Sequence, residues 1–329
     1  MLFREVGNVE VIAVRELAKT FAVKQKRPGM AGSLKAILSP TFKEIEAVRD
    51  VSFSVEEGET VAFIGPNGAG KSTTIKMLTG ILYPTSGMAT VLGIVPWRER
   101  QLLSREIGTV FGQRSQLWYD LPPRDTFDLL ARIYDIPRNT CRARMSMLAE
   151  MFELDEIMST PVRKLSLGQR MRCEIAASLL HGPRVLFLDE PTIGLDVVAK
   201  RRIRELIRTM NREEGVTVFL TSHDVSDMEE LCRRVMIINH GQLILDTAVS
   251  TLKRDYLEFK IVRVRLSDPI GGFDMQGVTV LKHKRTNMKM SVDLGDSLFD
   301  GGVGGLMRRL RLKEITLSCH PPEQGKARD

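Results

Sequence analysis

The residues Gly65-Pro66-Asn67-Gly68-Ala69-Gly70-Lys71-Ser72-Thr73 carry the spacing G-x-x-x-x-G-K-[ST]. They follow an apolar strand pattern, Thr60–Ile64, and precede a helical pattern over Thr74–Leu78. The chemistry that needs this arrangement is the cradling of a polyphosphate. Small residues at Gly65, Gly68 and Gly70, with Asn67 between them, let successive backbone N–H groups curve around anionic oxygens. The helix that follows turns its positive N-terminus toward them. Lys71 is expected to reach the β- and γ-phosphates and Ser72 to place its hydroxyl on Mg2+, with Thr73 completing the loop.

A second constellation answers the first. Val185-Leu186-Phe187-Leu188 reads as a buried strand that ends in Asp189-Glu190. Carboxylates at the C-terminal edge of such a strand, beside a phosphate loop, suit two tasks. Asp189 would meet Mg2+, through water, and Glu190 would polarise an attacking water as general base. Alone, an acidic pair after a strand serves as readily as a helix N-cap; beside the phosphate loop it reads as catalytic.

The elements that must position these groups follow from hydrophobic periodicity. Val9, Val11, Ala13 and Val14 predict a strand ending at a polar turn, Lys19-Thr20. Val51–Val55 alternates as a half-buried strand, and Val216–Leu220 forms a further buried run. Ala199–Asn211 puts Ile203, Leu206 and Ile207 on one helical face. Strands alternating with helices predict an α/β layer with parallel strands. Residues 113–180 are mostly helical by pattern, interrupted at Leu121-Pro122-Pro123 and Ile136-Pro137, and read as a helical insertion. After about Asp246 come alternating runs at 259–266, 278–282 and 288–292, separated by paired glycines. The expected division is a catalytic domain over 1–246 and a small α+β domain over 247–329.

Composition narrows the setting. The chain has 329 residues, a formal net charge of +7 and 43% apolar residues, enough for a sizeable core. No apolar stretch is long enough to cross a bilayer, and charges stand in Met1–Glu10 where a signal peptide needs its apolar centre. Cys141, Cys173, Cys232 and Cys319 form no metal-binding spacing and read as buried free thiols of a reducing compartment. Residues 51–246 carry a net charge of −1, against +3 for 1–50 and +5 for 247–329, so the basic excess lies in the flanks. Ala22–Lys43 contains no acidic residue and reads as a basic insertion, a loop followed by a short helix at Ser33–Leu38.

Leu165-Ser166-Leu167-Gly168-Gln169-Arg170, before Asp189, closely resembles the signature motif of the ABC (ATP-binding cassette) ATPases. Gln113 resembles that family's Q-loop glutamine, Gly194-Leu195-Asp196 its D-loop and His223 its switch histidine, all in the family's order. The resemblance spans about residues 8–246 and implies a P-loop NTPase fold that binds ATP with Mg2+. It implies that two cassettes meet head to tail, as a homodimer or a related heterodimer. Ser166, Gly168 and Gln169 of one would then hold the γ-phosphate bound by the loop of the other. His223 would contact that phosphate in cis, Asp196 would connect the two sites, and Gln113 would touch Mg2+ or the water and report nucleotide state. Leu167 departs from the usual glycine; Ser166 and Gly168, which carry the phosphate contact, are kept.

The resemblance also implies an aromatic against adenine: Phe21, with Phe42 as the competitor. Within the family, Leu165–Asp196 and Trp118-Tyr119-Asp120-Leu121 look most like the ATPase subunits of ABC-2 type exporters. These act with separate permease subunits, from a cytoplasmic position on the inner face of the membrane. Trp118 and Tyr119 would then line the groove for the permease, unless they are an internal packing pair. Ala22–Lys43 would lie under anionic lipid, and no nucleic acid is expected. A non-transport ABC ATPase acting on nucleic acid or ribosomes, and an importer ATPase, are the alternatives. The basic runs at 282–285 and 308–311 read as solvated faces.

Overall fold

Three strands buried on both faces make the centre of the protein: β3 (Thr60–Ile64), β6 (Val185–Asp189) and β7 (Thr217–Ser222). Their near-continuous apolar sequences leave no polar face for water, which suits only a covered parallel sheet. The structure, a computed structural model, describes residues 9–24, 42–112, 115–222, 224–256, 259–266, 278–284, 287–293 and 312–318. The three strands sit in a six-stranded sheet of order β5-β6-β7-β3-β8-β9. Here β5 is Ile107–Phe111, β8 is Arg234–Asn239 and β9 is Gln242–Ala248. All neighbours run parallel except β8 and β9.

A second, antiparallel sheet of order β2-β1-β4 covers one face. It contains β1 (Glu10–Lys24), β2 (Phe42–Glu56) and β4 (Ser86–Val91). Phe53 on β2 stacks on Phe219 at 5.8 Å between centroids and meets Phe63 at 5.9 Å in a tilted contact, joining the two sheets in one core. The turn expected at Lys19-Thr20 does not form. Lys19 pairs with Val48 and Thr20 with Glu46, and β1 runs on to Lys24. Irregular register between Val14 and Thr20, with Glu16 at φ 47°, absorbs the polar residues as bulges instead of reversing the chain.

The helices, in chain order, are α1 (Lys71–Leu78), α2 (Arg100–Glu106), α3 (Pro123–Ile133), α4 (Arg138–Phe152), α5 (Leu167–Leu179), α6 (Val197–Glu214), α7 (Val225–Leu231) and α8 (Val249–Tyr256). The prolines act where their chemistry allows. Pro123 opens α3 and Pro137 precedes α4, positions whose N–H groups have no helical partner to lose. On α6, Ile203, Leu206, Ile207 and Met210 face inward. No helix among the described residues is long and apolar enough to cross a membrane. Cys141, Cys173 and Cys232 are buried and unpaired, and burial pushes the Cys173 thiol up to about 12, so it stays protonated and inert. The expected helix at Ser33–Leu38 and Cys319 lie outside the described residues.

The chain divides into two compact units, Met1–Val249 and Ser250–Asp329. The second holds a four-stranded antiparallel sheet of order β11-β12-β10-β13. Its strands are β10 (Phe259–Leu266), β11 (Val278–Lys284), β12 (Asn287–Asp293) and β13 (Leu312–Ser318). The last has no counterpart in the sequence reading, because the adjacent charges Lys313-Glu314 interrupt its alternation.

Candidate active site

Because β7 lies between β3 and β6 and runs parallel to both, the loops leaving β3 and β6 flank its C-terminal end. Ile64 pairs with Ser222 and Asp189 with Thr221, so the phosphate loop and the acidic pair leave the sheet at one level. Two loop positions admit only glycine. A Cβ on Gly65 would lie 2.1 Å from the carbonyl oxygen of Ile238. Gly70 caps α1 at φ 111°, and a Cβ there would lie 2.5 Å from the carbonyl oxygen of Ala47. The loop curves around a cleft of about 420 Å³, lined by Asn67, Gly68, Gly70, Lys71, Ser72 and Thr73 together with Asp189 and Glu190.

Lys71 is 5% exposed; its Nζ donates to the carbonyls of Gly65 (2.8 Å) and Pro66 (3.2 Å) and lies 3.7 Å from Glu190 Oε1. The hydroxyl of Ser72 donates to Asp189 Oδ1 at 3.0 Å. A hydroxyl beside a carboxylate is a hard-oxygen donor pair that fits Mg2+. No cluster of three or more His, Cys, Asp or Glu among the described residues forms an all-protein cage. Glu190 has φ 56°, a conformation that costs a non-glycine residue about 1–3 kcal/mol. Its N–H is held by both the carbonyl and the hydroxyl oxygen of Thr221, each at 3.1 Å.

The signature residues form a different place. Ser166, Gly168, Gln169 and Asp196 line a second cleft of about 380 Å³ with Arg172 and Arg202. Ser166 caps α5 in a reciprocal box. Its Oγ accepts from Gln169 N at 3.2 Å, and Gln169 Oε1 accepts from Ser166 N at 2.9 Å. Asp196 caps α6 by accepting from Ala199 N at 2.9 Å. Two helix N-termini therefore open on one cleft, a setting that favours anions. A Cβ on Gly168 would come within 3.0 Å of Ala199 Cβ, so that glycine lets the helix ends approach. Leu167, 38% exposed, leans over Gly194 and leaves the cap intact.

Gln113 and His223 lie outside the described residues. The flanks of His223 are well anchored. Ser222 Oγ donates to the buried Asp227 at 2.7 Å, and Lys200 pairs with Asp224 at 2.7 Å. Burial pushes the Asp224 carboxyl up, but hydrogen bonds from Lys200 and Ser226 outweigh it and hold the group below its usual range. Phe21 and Phe42 do not line the phosphate cleft. Phe21 pairs with Ile45 under the ammonium of Lys19, Phe42 is exposed, and the β2 residue at the cleft is Ala47. Trp118 and Tyr119 are 46% and 61% exposed, so they are not an internal pair.

The family model described as "ABC transporter" matches residues 48–193, from β2 through the acidic pair. The ABC transporter ATP-binding protein NatA of Bacillus subtilis is 33% identical over 210 residues, 64% of this chain and 85% of that protein. The chain belongs to the ABC transporter ATP-binding family. The bacitracin transport ATP-binding protein BcrA of Bacillus licheniformis is 34% identical over 227 residues, 68% of this chain and 73% of that protein. Among solved structures, the dimeric post-hydrolysis ATP-binding cassette MJ0796, bound to ADP and phosphate, has a TM-score of 0.60 at 26% identity. It matches over 72% of this chain and 98% of that one.

This ABC ATPase is thus a nucleotide-binding, ATP-hydrolysing transporter subunit with the P-loop NTPase fold. Sequence reasoning missed Thr221, whose hydroxyl also donates to Asp189 Oδ1 at 2.6 Å. It also missed Ala47, which enters the cleft from β2. Neither stands at a motif spacing; sheet register brings Thr221 beside Asp189, and Ala47 reaches the cleft from an irregular point of β2.

Proposed function

We propose that this cassette powers export through separate ABC-2 type permease subunits, docked peripherally on the cytoplasmic face of the membrane and working as an ATP-driven head-to-tail dimer. The observation that carries this reading is the division of the motif residues between two clefts of one chain. The phosphate cleft has its lysine and carboxylates but no signature residue, and the signature cleft has helix N-termini but no phosphate loop. Each lacks what the other supplies, which favours two copies closing on ATP. The kinship with a bacitracin transport protein supports export.

Within one site, Lys71 and the loop amides bind and orient the β- and γ-phosphates. Ser72 and Asp189 would hold Mg2+, with Gln113 as the third expected contact; when bound, the ion supplies charge neutralisation at the phosphates. Glu190 accepts a proton from the attacking water as that oxygen bonds to the γ-phosphorus and the bond to ADP breaks. His223 would steady the γ-phosphate in cis. Ser166, Gly168 and Gln169 of the second copy would close over it, with Asp196 spanning the two sites. Trp118 and Tyr119 are aromatic anchors for the permease.

Glu190→Gln is expected to lower phosphate release by about 10³-fold or more while ATP with Mg2+ shifts the protein to twice its mass in light scattering. Lys71→Ala should lose nucleotide binding and the mass shift. Turnover at the parent rate in Glu190→Gln would refute the base, and an ATP-loaded protein that stays monomeric would refute the dimer.

A further inference from the structure

A carboxylate on α5 has no place in the mechanism above. Glu174 lies two turns beyond the signature serine, about 12 Å along the helix at 1.5 Å per residue. It is 4% exposed, and burial raises its carboxyl above the usual range against the opposing pull of its hydrogen bonds. A carboxylate so placed is costly unless its oxygens are occupied. They are: one accepts from the hydroxyl of Ser115, the other from the N–H of Gln116 at 3.1 Å. The Gln116 side-chain amide donates in turn to the backbone carbonyl of Glu174 at 2.8 Å. Ser115 Oγ also accepts from Leu117 N, whose side chain is buried.

Three hydrogen bonds thus fasten Ser115 and Gln116 to the signature helix, Leu117 is tied to Ser115, and Trp118 and Tyr119 follow directly. The far side of the aromatics is fastened too. Tyr119 O accepts from Arg163 N at 2.9 Å, Leu121 O accepts from Val162 N at 3.0 Å, and Asp120 pairs with Arg163 at 3.0 Å. The exposed aromatics are therefore bracketed by two attachments to one stretch, 162–174, which contains Ser166.

We propose that Glu174 is a positioning residue: it locks Ser115–Leu117 to the signature helix, so that displacement of this helix by nucleotide is transmitted to the exposed Trp118–Tyr119 face. The inference rests on the ATP-driven dimer proposed above, and its test separates the two.

The chain has two tryptophans, so Trp97→Phe leaves Trp118 as the sole reporter. In a Trp97→Phe, Glu190→Gln background, acrylamide quenching of Trp118 is measured with and without ATP and Mg2+. Dimer mass and binding of a fluorescent ATP analogue are measured in parallel. The expected result is a clear ATP-dependent change in quenching that Glu174→Ala cuts at least about threefold, with nucleotide affinity within about twofold of the parent. Glu174→Gln keeps one oxygen to accept from the Gln116 N–H and can donate its amide to Ser115 Oγ, so it should restore most of the change. Ser115→Ala alters an exposed residue, should fold in any event, and should lower the response in the same direction. A full response in Glu174→Ala or, where that variant does not fold, in Ser115→Ala overturns the inference. So does a parent protein that dimerises with ATP while Trp118 stays silent. A parent protein that binds ATP without dimerising overturns the functional reading and the inference with it.

Discussion

The hydroxyl of Thr221 donates to Asp189 Oδ1 and accepts from the N–H of Glu190, so one side chain holds the carboxylate proposed to meet Mg2+ and the backbone of the candidate base. The strained φ of Glu190 persists because that N–H is held twice by the same residue. Thr221→Val keeps the shape and removes both hydroxyl bonds. The Glu190 N–H keeps the Thr221 carbonyl, so the uncompensated loss is the bond to Asp189; at about 1.4 kcal/mol it predicts a kcat about tenfold lower with KM for ATP within about twofold. Steady-state phosphate release decides it, and an unchanged kcat would remove Thr221 from the site. Lys71, Ser72, Asp189 and Glu190 were legible because polyphosphate geometry imposes a spacing on them. Thr221 was not, since a threonine in a strand looks like any β-former until the register Asp189↔Thr221 is known. Phe21 and Phe42, the aromatics expected against adenine, are not among the residues that line the phosphate cleft.

At the scale of elements, three ends meet at His181, just beyond α5. Its ring stacks on Tyr134, which follows α3, at 4.1 Å and 7°, and its Nε2 donates to the carbonyl of Ile107 at the start of β5 at 3.0 Å. A carbonyl can only accept, so Nε2 carries the proton and Nδ1 is bare; Nδ1 is buried and has no partner. Protonation would add a charge and a donor where neither is satisfied. Burial, with Arg144 nearby, therefore lowers the His181 pKa to about 4. The sign follows: below about 6.5 the unfolded chain takes up a proton that the folded chain refuses. Stability from this group is present at neutral pH and lost as pH falls from 6.5 toward 4, by about 2–3 kcal/mol. Urea unfolding of the parent and of His181→Phe at pH 7 and pH 4.5 should show the smaller pH dependence in the variant; equal dependence would count against it. The central strands β3, β6 and β7 were readable because burial on both faces leaves unbroken apolar runs. β1 was misread because a bulged exposed ribbon tolerates polar residues that elsewhere signal a turn.

For the whole molecule, the charge is unevenly placed: the catalytic stretch 51–246 is nearly neutral at −1, while 1–50 carries +3 and 247–329 carries +5. A cassette docked on a permease brings its surface near anionic headgroups, where each basic side chain contributes about 1 kcal/mol and screening by salt is strong. The five cations Lys24, Lys26, Arg27, Lys35 and Lys43 stand in a stretch without an acidic residue, much of it outside the described residues. Two cations are not equivalent to five. At that increment, binding to vesicles with about 30% anionic lipid becomes easily detected only when several act together, and it should fall steeply with ionic strength. The full chain should therefore cosediment with such vesicles at low salt, release at high salt, and ignore neutral vesicles. Replacing all five cations with glutamine should lower the low-salt binding by at least tenfold, with ATP hydrolysis by the isolated chain unchanged. Retained binding in that variant would move the lipid contact to the basic runs of 247–329, and no binding by the parent chain would leave docking to the permease alone.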